Sequence, residues 1–288
     1  MTELPDWDGQ NFADLLALTR EGEAQFSSQL KENNNRGALF GGQVLAQAMR
    51  AAQATISTPA HVLQAEFLRA GRGDVPVDYG VEQTRDGRGF STRRVMAVQH
   101  GRQILHAQIS FTAGESGPRF LPPTPDVKMP DELEDEATLA LRFAERLGRV
   151  GAHRLASHKT VMMRFVEPER MLLGEPGPPR QLYWMRLRHV GSDDDGAHAC
   201  GVAYLSDYWL GGVFRSAATD WEEADRLRVH SLNHSMYFHD RAAADEWLLF
   251  DAQCLWSDHG RTLAMAQVYA PDGRPVATVV QEALLRAG

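Results

Sequence analysis

The chain has 288 residues, of which 43% are hydrophobic and 24% charged, and a formal charge of −8 at pH 7. That length and balance support a sizeable core without disulfide or metal staples, and they exclude a disordered, collagen-like or coiled-coil chain. The acidic surplus excludes the net basic footprint that nonspecific nucleic-acid binding needs.

No apolar run approaches the roughly 18 residues of a membrane span. The opening MTELPDWDGQNF has no cationic stretch followed by an apolar one, and the closing LLRAG is no retention or peroxisomal tag. A cytoplasmic protein is expected, with Cys200 and Cys254 as buried, reduced thiols outside any CxxC pair.

In chain order, FADLLALT reads as a short apolar helix, and a strand-like stretch follows near 24–30. Then GALFGGQVLAQAMRAAQATI, at 37–56, carries Val44, Ala48 and Ala51 at helical spacing, and Leu45, Met49 and Ala52 likewise. A helix apolar nearly all round is a buried helix. Four strands follow, HVLQAEFLRAG, DVPVDYGVEQTRD, FSTRRVMAVQHG and RQILHAQISFTA, with turns at RDGRG and His100-Gly101. From Gly114 to Pro130 five prolines fall in seventeen residues, which no helix or central strand tolerates. An acidic connecting helix, DELEDEATLALRFAERLGRV, completes a linker at 114–157. The remainder repeats the earlier order. HKTVMMRFVE and RQLYWMRLRHV read as strands and LSDYWLGGVFRSAA as a helix. SLNHSMYFHD, DEWLLFDAQCLWSD, RTLAMAQVYA and GRPVATVVQEALLR then read as strands.

The halves superpose in sequence. An offset of 171 pairs Phe67 with Phe238, Asp74 with Asp245, Tyr79 with Phe250 and Gly89 with Gly260. One inserted residue then pairs Gly101-Arg102 with Gly273-Arg274, and an offset of 170 pairs glycines 41–42 with 211–212. The pattern indicates an internal duplication, with repeats at 1–113 and 158–288. An apolar helix needs cover on most sides, so the expected fold class is α+β. Two curved antiparallel sheets would each wrap a central buried helix and join edge to edge, removing two exposed edges.

The stretches LFGGQVLAQAMRAA, FLRAGRGDVP, EQTRDGRGFSTRRVMAVQHGRQILHAQISF, LSDYWL, SLNHSMYFH, DEWLLFDAQC and PDGRPVATVVQEALLR together resemble the acyl-CoA thioesterase II family. They cover both halves and most of the chain except the linker. The resemblance implies a double hotdog fold and hydrolysis of acyl-CoA to free acid and CoA. It also implies a catalytic acid at Asp207, a hydroxyl at Ser231 and an amide at Gln281. The family often has Asp before the H-S-M triplet, where this chain has Asn233.

These residue types suit attack of water on a thioester. A carboxylate takes the proton, a hydroxyl and an amide hold the water, and a dipole steadies the oxyanion. Asp207 follows Ser206 where the second buried helix is expected to begin, with Ser206 as its N-cap and the macrodipole beside the charge. At the repeat offsets Asp207 faces Gly37 and Gln281 faces Ile109, so one site per chain is expected, built by the second half.

Other motifs are read blandly. His230 and His234 would suit a metal on a helix, but on a strand they stand about 13 Å apart. GSDDDGA, with Asp193, Asp194 and Asp195, reads as a solvated turn, and the glycines of FGGQV as close helix–sheet packing. Tyr204, Tyr208, Trp209 and Phe214 read as core, one or two of them lining an acyl tunnel. No nucleotide fingerprint or GxSxG elbow is present. No metal or cofactor is expected. The expected partners are an acyl-CoA substrate and further copies of the chain in a homo-oligomer, without nucleic acid or membrane. A hotdog enoyl-CoA hydratase and a non-catalytic acyl-CoA-binding module stay open as alternatives.

Overall fold

The computed structural model describes residues 11–29, 38–157, 160–175, 177–191, 194–218, 224 and 226–287. The first half comprises α1 (Phe12–Leu16), β1 (Leu18–Arg20), β2 (Gln25–Ser28), α2 (Gly41–Gln53), β3 (Ala60–Phe67), β4 (Asp78–Asp86), β5 (Phe90–Gln99) and β6 (Arg102–Thr112). Helices α3 (Glu136–Arg142) and α4 (Ala144–Ala156) follow. The second half comprises β7 (Val161–Phe165), α5 (Pro168–Leu173), β8 (Arg180–Leu187), α6 (Asp195–Trp209), β9 (Leu227–Phe238), β10 (Leu248–Asp258), β11 (Arg261–Tyr269) and β12 (Pro275–Ala287).

Among the described residues all twelve strands join one antiparallel sheet, in the order β1-β2-β4-β5-β6-β3-β9-β12-β11-β10-β8-β7. Each half has the same order, reflected about the middle. The halves meet where β3 pairs β9, from Val62 opposite Tyr237 to Glu66 opposite Asn233. This is the expected edge-to-edge join, and it leaves neither repeat with an open inner edge.

The two halves match in their strand registers. On β4 Thr84 is the extra residue of a β-bulge, and on β10 it is Leu255, its counterpart at the offset of 171. His61 on β3 and Leu232 on β9 match at the same offset, and Ile104 on β6 and Val276 on β12 at 172, past the inserted residue. A bulge bends a strand and shifts which face its side chains take, so three matched bulges reproduce one curvature twice.

Ten of the thirteen residues of α2 are buried, as an all-round apolar helix requires. α2 packs on α6 at very short range. A Cβ on Gly42 would lie 2.5 Å from the Tyr204 carbonyl oxygen. On another side of α6, a Cβ on Gly201 would lie 2.7 Å from Ala244 Cβ, in the connection between β9 and β10. The close packing expected of the FGGQV glycines is therefore between helices.

The second helix corrects the sequence reading. It starts ten residues earlier than LSDYWL, because the Asp194 side chain caps it by accepting from the Gly196 amide at 3.0 Å. Asp194 also pairs with Arg50 at 2.7 Å, so the acidic run is a helix start; Asp193 lies outside the described residues. The α-helix ends ahead of Gly211-Gly212, where helix continuation is least favourable, and the chain tightens into a 3₁₀ turn over Leu210–Ala217. The pairing of glycines 41–42 with 211–212 therefore fails, since one pair opens a helix and the other follows one. Gly37 and the His158-Lys159 pair that opens the expected strand HKTVMMRFVE lie outside the described residues. The expected helix FADLLALT stops at Leu16, and its Leu18 and Thr19 instead open strand β1; helix α5 is a further element.

The linker forms a strap. Its extended part crosses the outer face of the second half, where Trp184 Nε1 donates to the Lys128 carbonyl at 3.0 Å and Tyr269 Oη to the Pro123 carbonyl at 3.2 Å. Val127 and Leu133 cover Trp184, Leu249 and Tyr269 there. In the first half, Gln64, Glu66, Arg94 and Gln108 are exposed.

Gly201→Ala tests the packing beneath α6. Overpacking of about 1–3 kcal/mol is expected there, lowering Tm by about 3–8 °C, while Gly117→Ala, with open space around it, leaves Tm unchanged. Equal melting of the two variants contradicts the packing described.

Candidate active site

Asp207, Ser231 and Gln281 come from three elements and meet at one point. Asp207 lies in the last turn of α6, Ser231 on β9 and Gln281 on β12. Ser231 Oγ donates to Asp207 Oδ1 at 3.1 Å. Gln281 Nε2 donates to the same oxygen at 2.5 Å and to Ser231 Oγ at 2.8 Å. These bonds fix the amide, because a carboxylate only accepts: the NH₂ must face Asp207, and the carbonyl oxygen must point elsewhere. That oxygen, Gln281 Oε1, is buried without a hydrogen-bond partner.

The bulge at Leu232 aims Ser231. On a regular strand Ser231 would share a face with Asn233 and Ser235, opposite His234. The extra residue reverses that alternation, so Ser231 pairs Ala283 and His234 pairs Gln281 on the inner face. Asn233 points the other way. Its Oδ1 accepts from the Glu282 amide at 3.2 Å, and its Nδ2 donates to the Glu282 carboxylate at 3.4 Å. It thus stands apart from the network around His234.

The expected placement of Asp207 at a helix start is wrong for its own helix. Ser206 is not an N-cap; it is 2% exposed, and its Oγ donates to the Ala203 carbonyl at 2.8 Å. The helix start that faces Asp207 belongs to α2, in the first half. The Gly42 amide donates to the carboxylate, and a Cβ on Gly41 would lie 2.5 Å from Asp207 Oδ2. Only glycine allows that approach, and the positive end of the α2 dipole lies beside the charge. The FGGQV glycines carried this signal, but nothing local tied them to a residue far along the chain.

The Asp207 side chain is 4% exposed. Burial raises its pKa to about 6, against the lowering effect of bonds from Gln281, Ser231 and Gly42. His234 is fully buried beside it, with Nδ1 3.9 Å from Asp207 Oδ1, and burial lowers its pKa to about 3. The sequence reading gave His234 no role.

The first half has no such site. Register equivalence puts Ala60 where Ser231 stands, Leu63 where His234 stands and Ile109 where Gln281 stands. Elsewhere, Tyr204 and Phe214 are core, with Phe40 edge-on to Tyr204 at 5.0 Å and to Tyr208 at 5.6 Å. Both cysteines are buried, and burial pushes the Cys200 thiol up to about 12. Among the described residues no three His, Cys, Asp or Glu side chains converge as metal ligands.

A carboxyl group whose pKa is about 6 when folded and 3.8 in its reference state binds its proton more tightly when folded. Folding stability therefore falls as pH rises from about 4 to 6, and the penalty above that, about 3 kcal/mol, is fully present at pH 8. Asp207→Asn is expected to melt several degrees above the parent at pH 8 and level with it at pH 4. A parent more stable than the variant at pH 8 contradicts the desolvated carboxylate.

The chain matches the acyl-CoA thioesterase N-terminal domain over residues 30–112 and the acyl-CoA thioesterase C-terminal domain over residues 129–285. It is 35% identical to rat acyl-coenzyme A thioesterase 8, across 86% of this chain and 80% of that protein. It is 29% identical to acyl-CoA thioesterase 2 of Haemophilus influenzae, across 96% and 97%. The crystal structure of an acyl-CoA thioesterase II from Mycobacterium marinum superposes with a TM-score of 0.78 at 32% identity, covering 96% of this chain and 98% of that one. The architecture is the hotdog fold of the thioesterase II structures, and the chain belongs to the acyl-CoA thioesterase family, a family of thioester hydrolases.

Proposed function

We propose that the chain hydrolyses acyl-CoA thioesters to free fatty acid and CoA with water activated by Asp207 and held by Ser231 and Gln281. One observation carries the reading: a buried carboxylate receives donors from two adjacent strands and from the start of a helix in the other half. A carboxylate with a pKa of about 6 is ionised at neutral pH and is a stronger base than an exposed one, which suits proton removal from water.

The attacking water gives one proton to Asp207 and turns the other toward Gln281 Oε1, the spare acceptor. Its lone pair then meets the thioester carbonyl. As Asp207 becomes neutral, the Gly42 amide at the α2 start loses its anion and can serve the oxyanion that forms beside it. The C–S bond breaks, Asp207 returns its proton to the thiolate, and free acid and CoA leave.

The same reading divides the chain into a repeat at 1–113, a linker at 114–157 and a repeat at 158–288 that supplies all three side chains. It includes a cytoplasmic homo-oligomer without nucleic-acid or membrane partners. No described helix is long and apolar enough to cross a membrane.

A free-thiol assay with short-, medium- and long-chain acyl-CoAs tests the reading. Asp207→Asn keeps the shape and removes the base, so a loss of about 10²-fold or more is expected, with smaller losses of about tenfold for Ser231→Ala and Gln281→Ala. Equal turnover by the parent and Asp207→Asn would remove Asp207 from the mechanism. Loss of enoyl absorbance without thiol release would transfer the reading to hydration.

A further inference from the structure

His234 is fully buried beside the triad, yet the hydrolysis above makes no use of it. Its neighbours determine its protonation. Ser206 Oγ lies 2.8 Å from His234 Nε2 and also donates to the Ala203 carbonyl at 2.8 Å. A hydroxyl has one proton, and Ala203 takes it. Ser206 must therefore accept from the ring, which fixes the proton on Nε2. The other nitrogen, Nδ1, is left as a bare lone pair. It makes no hydrogen bond, is shielded from water, and lies 3.9 Å from Asp207 Oδ1.

Three elements place residues beside the ring. α6 supplies Ser206 and Asp207, β12 supplies Gln281, and β3 supplies Ala65 as register partner. Among these only Asp207 titrates, so the contact is a neutral imidazole beside a carboxylate and not an ion pair. Two lone pairs that face each other in a dry site disfavour the ionised acid and favour its protonated form, which can donate to Nδ1. The separation exceeds a hydrogen bond, and catalytic contacts commonly tighten on substrate binding.

We propose that His234 is a positioning residue for Asp207: Ser206 holds it as the Nε2–H tautomer, and its bare Nδ1 receives the hydrogen bond of Asp207 whenever that group carries the proton taken from water. The proton moves from water to Asp207 Oδ, is held toward Nδ1 while the C–S bond breaks, and passes to the CoA sulfur. The imidazole gains and loses nothing overall. Its effect is to keep the loaded acid from turning away between attack and thiol release. This rests on Asp207 as the base in the hydrolysis proposed above.

The test is the pH dependence of thiol release in two variants that split the ring's functions. His234→Gln can keep a donor toward Ser206 but has no acceptor in the place of Nδ1. His234→Asn can keep an acceptor toward Asp207 and loses the Ser206 bond. For His234→Gln, kcat is expected to fall about tenfold with KM within about twofold, and the acid limb of kcat to move down by about one pH unit. For His234→Asn the acid limb stays where the parent has it. An unmoved limb in His234→Gln overturns the proposal, as does an equal shift in both variants. If neither variant folds, ¹⁵N NMR of the parent decides: an Nε2–H signature for His234 supports the proposal and an Nδ1–H signature overturns it. Asp207→Asn separates the two readings. Full activity there overturns the base assignment, whereas an inactive Asp207→Asn with an unmoved His234→Gln limb overturns the role of His234 alone.

Discussion

The constraint behind the site is a carboxylate kept out of water. Asp207 is 4% exposed and is held by a hydroxyl, an amide and a helix-start N–H. A buried charge must be paired or well bonded, and among the described residues no cation answers it. Neutral dipoles do, and they leave its pKa at about 6. Each donor belongs to a different element, so the site exists only when α2, α6, β9 and β12 are all in place. The join of β3 to β9 brings the first half's helix start against the second half's carboxylate, and each half alone would lack part of the site.

The two halves share one strand pattern and differ at the site. The three matched bulges show that the two halves curve alike, down to the residue that breaks each ladder. Where the second half places Ser231, His234 and Gln281, the first places Ala60, Leu63 and Ile109. Each of those exchanges replaces a polar group with an apolar one of similar reach. What the first half brings to Asp207 is backbone: the Gly42 amide, with Gly41 leaving room for the carboxylate. A backbone contribution survives side-chain substitution provided the glycines stay small.

Much of the fold was legible because period-two alternation and turn residues delimit strands such as FSTRRVMAVQ and RTLAMAQVY. The apolar FGGQV helix was equally plain. The second helix was misread because its start depends on a capping Asp194, which looks like part of a solvated acidic run. Asp207, Ser231 and Gln281 came from family resemblance and not from pattern, since alternation alone places Ser231 and His234 on opposite faces of β9. The bulge at Leu232 that unites them leaves no mark in composition. The tautomer of His234 depends on Ser206, twenty-eight residues away, and on a single hydroxyl proton. Such features belong to three-dimensional bookkeeping of donors and acceptors.

The role proposed for Asp207 as a base rests on its desolvation, which raises the proton affinity of an otherwise ordinary carboxylate. The direct measurement is a ¹³C NMR titration of aspartate-labelled protein, with Asp207→Asn identifying the Asp207 signal by difference. A carboxyl carbon that titrates near pH 6 in the parent and is missing from the variant is the result this account predicts. A signal that titrates near the usual value of about 4 would mean that water reaches the carboxylate and that its burial does not set the chemistry.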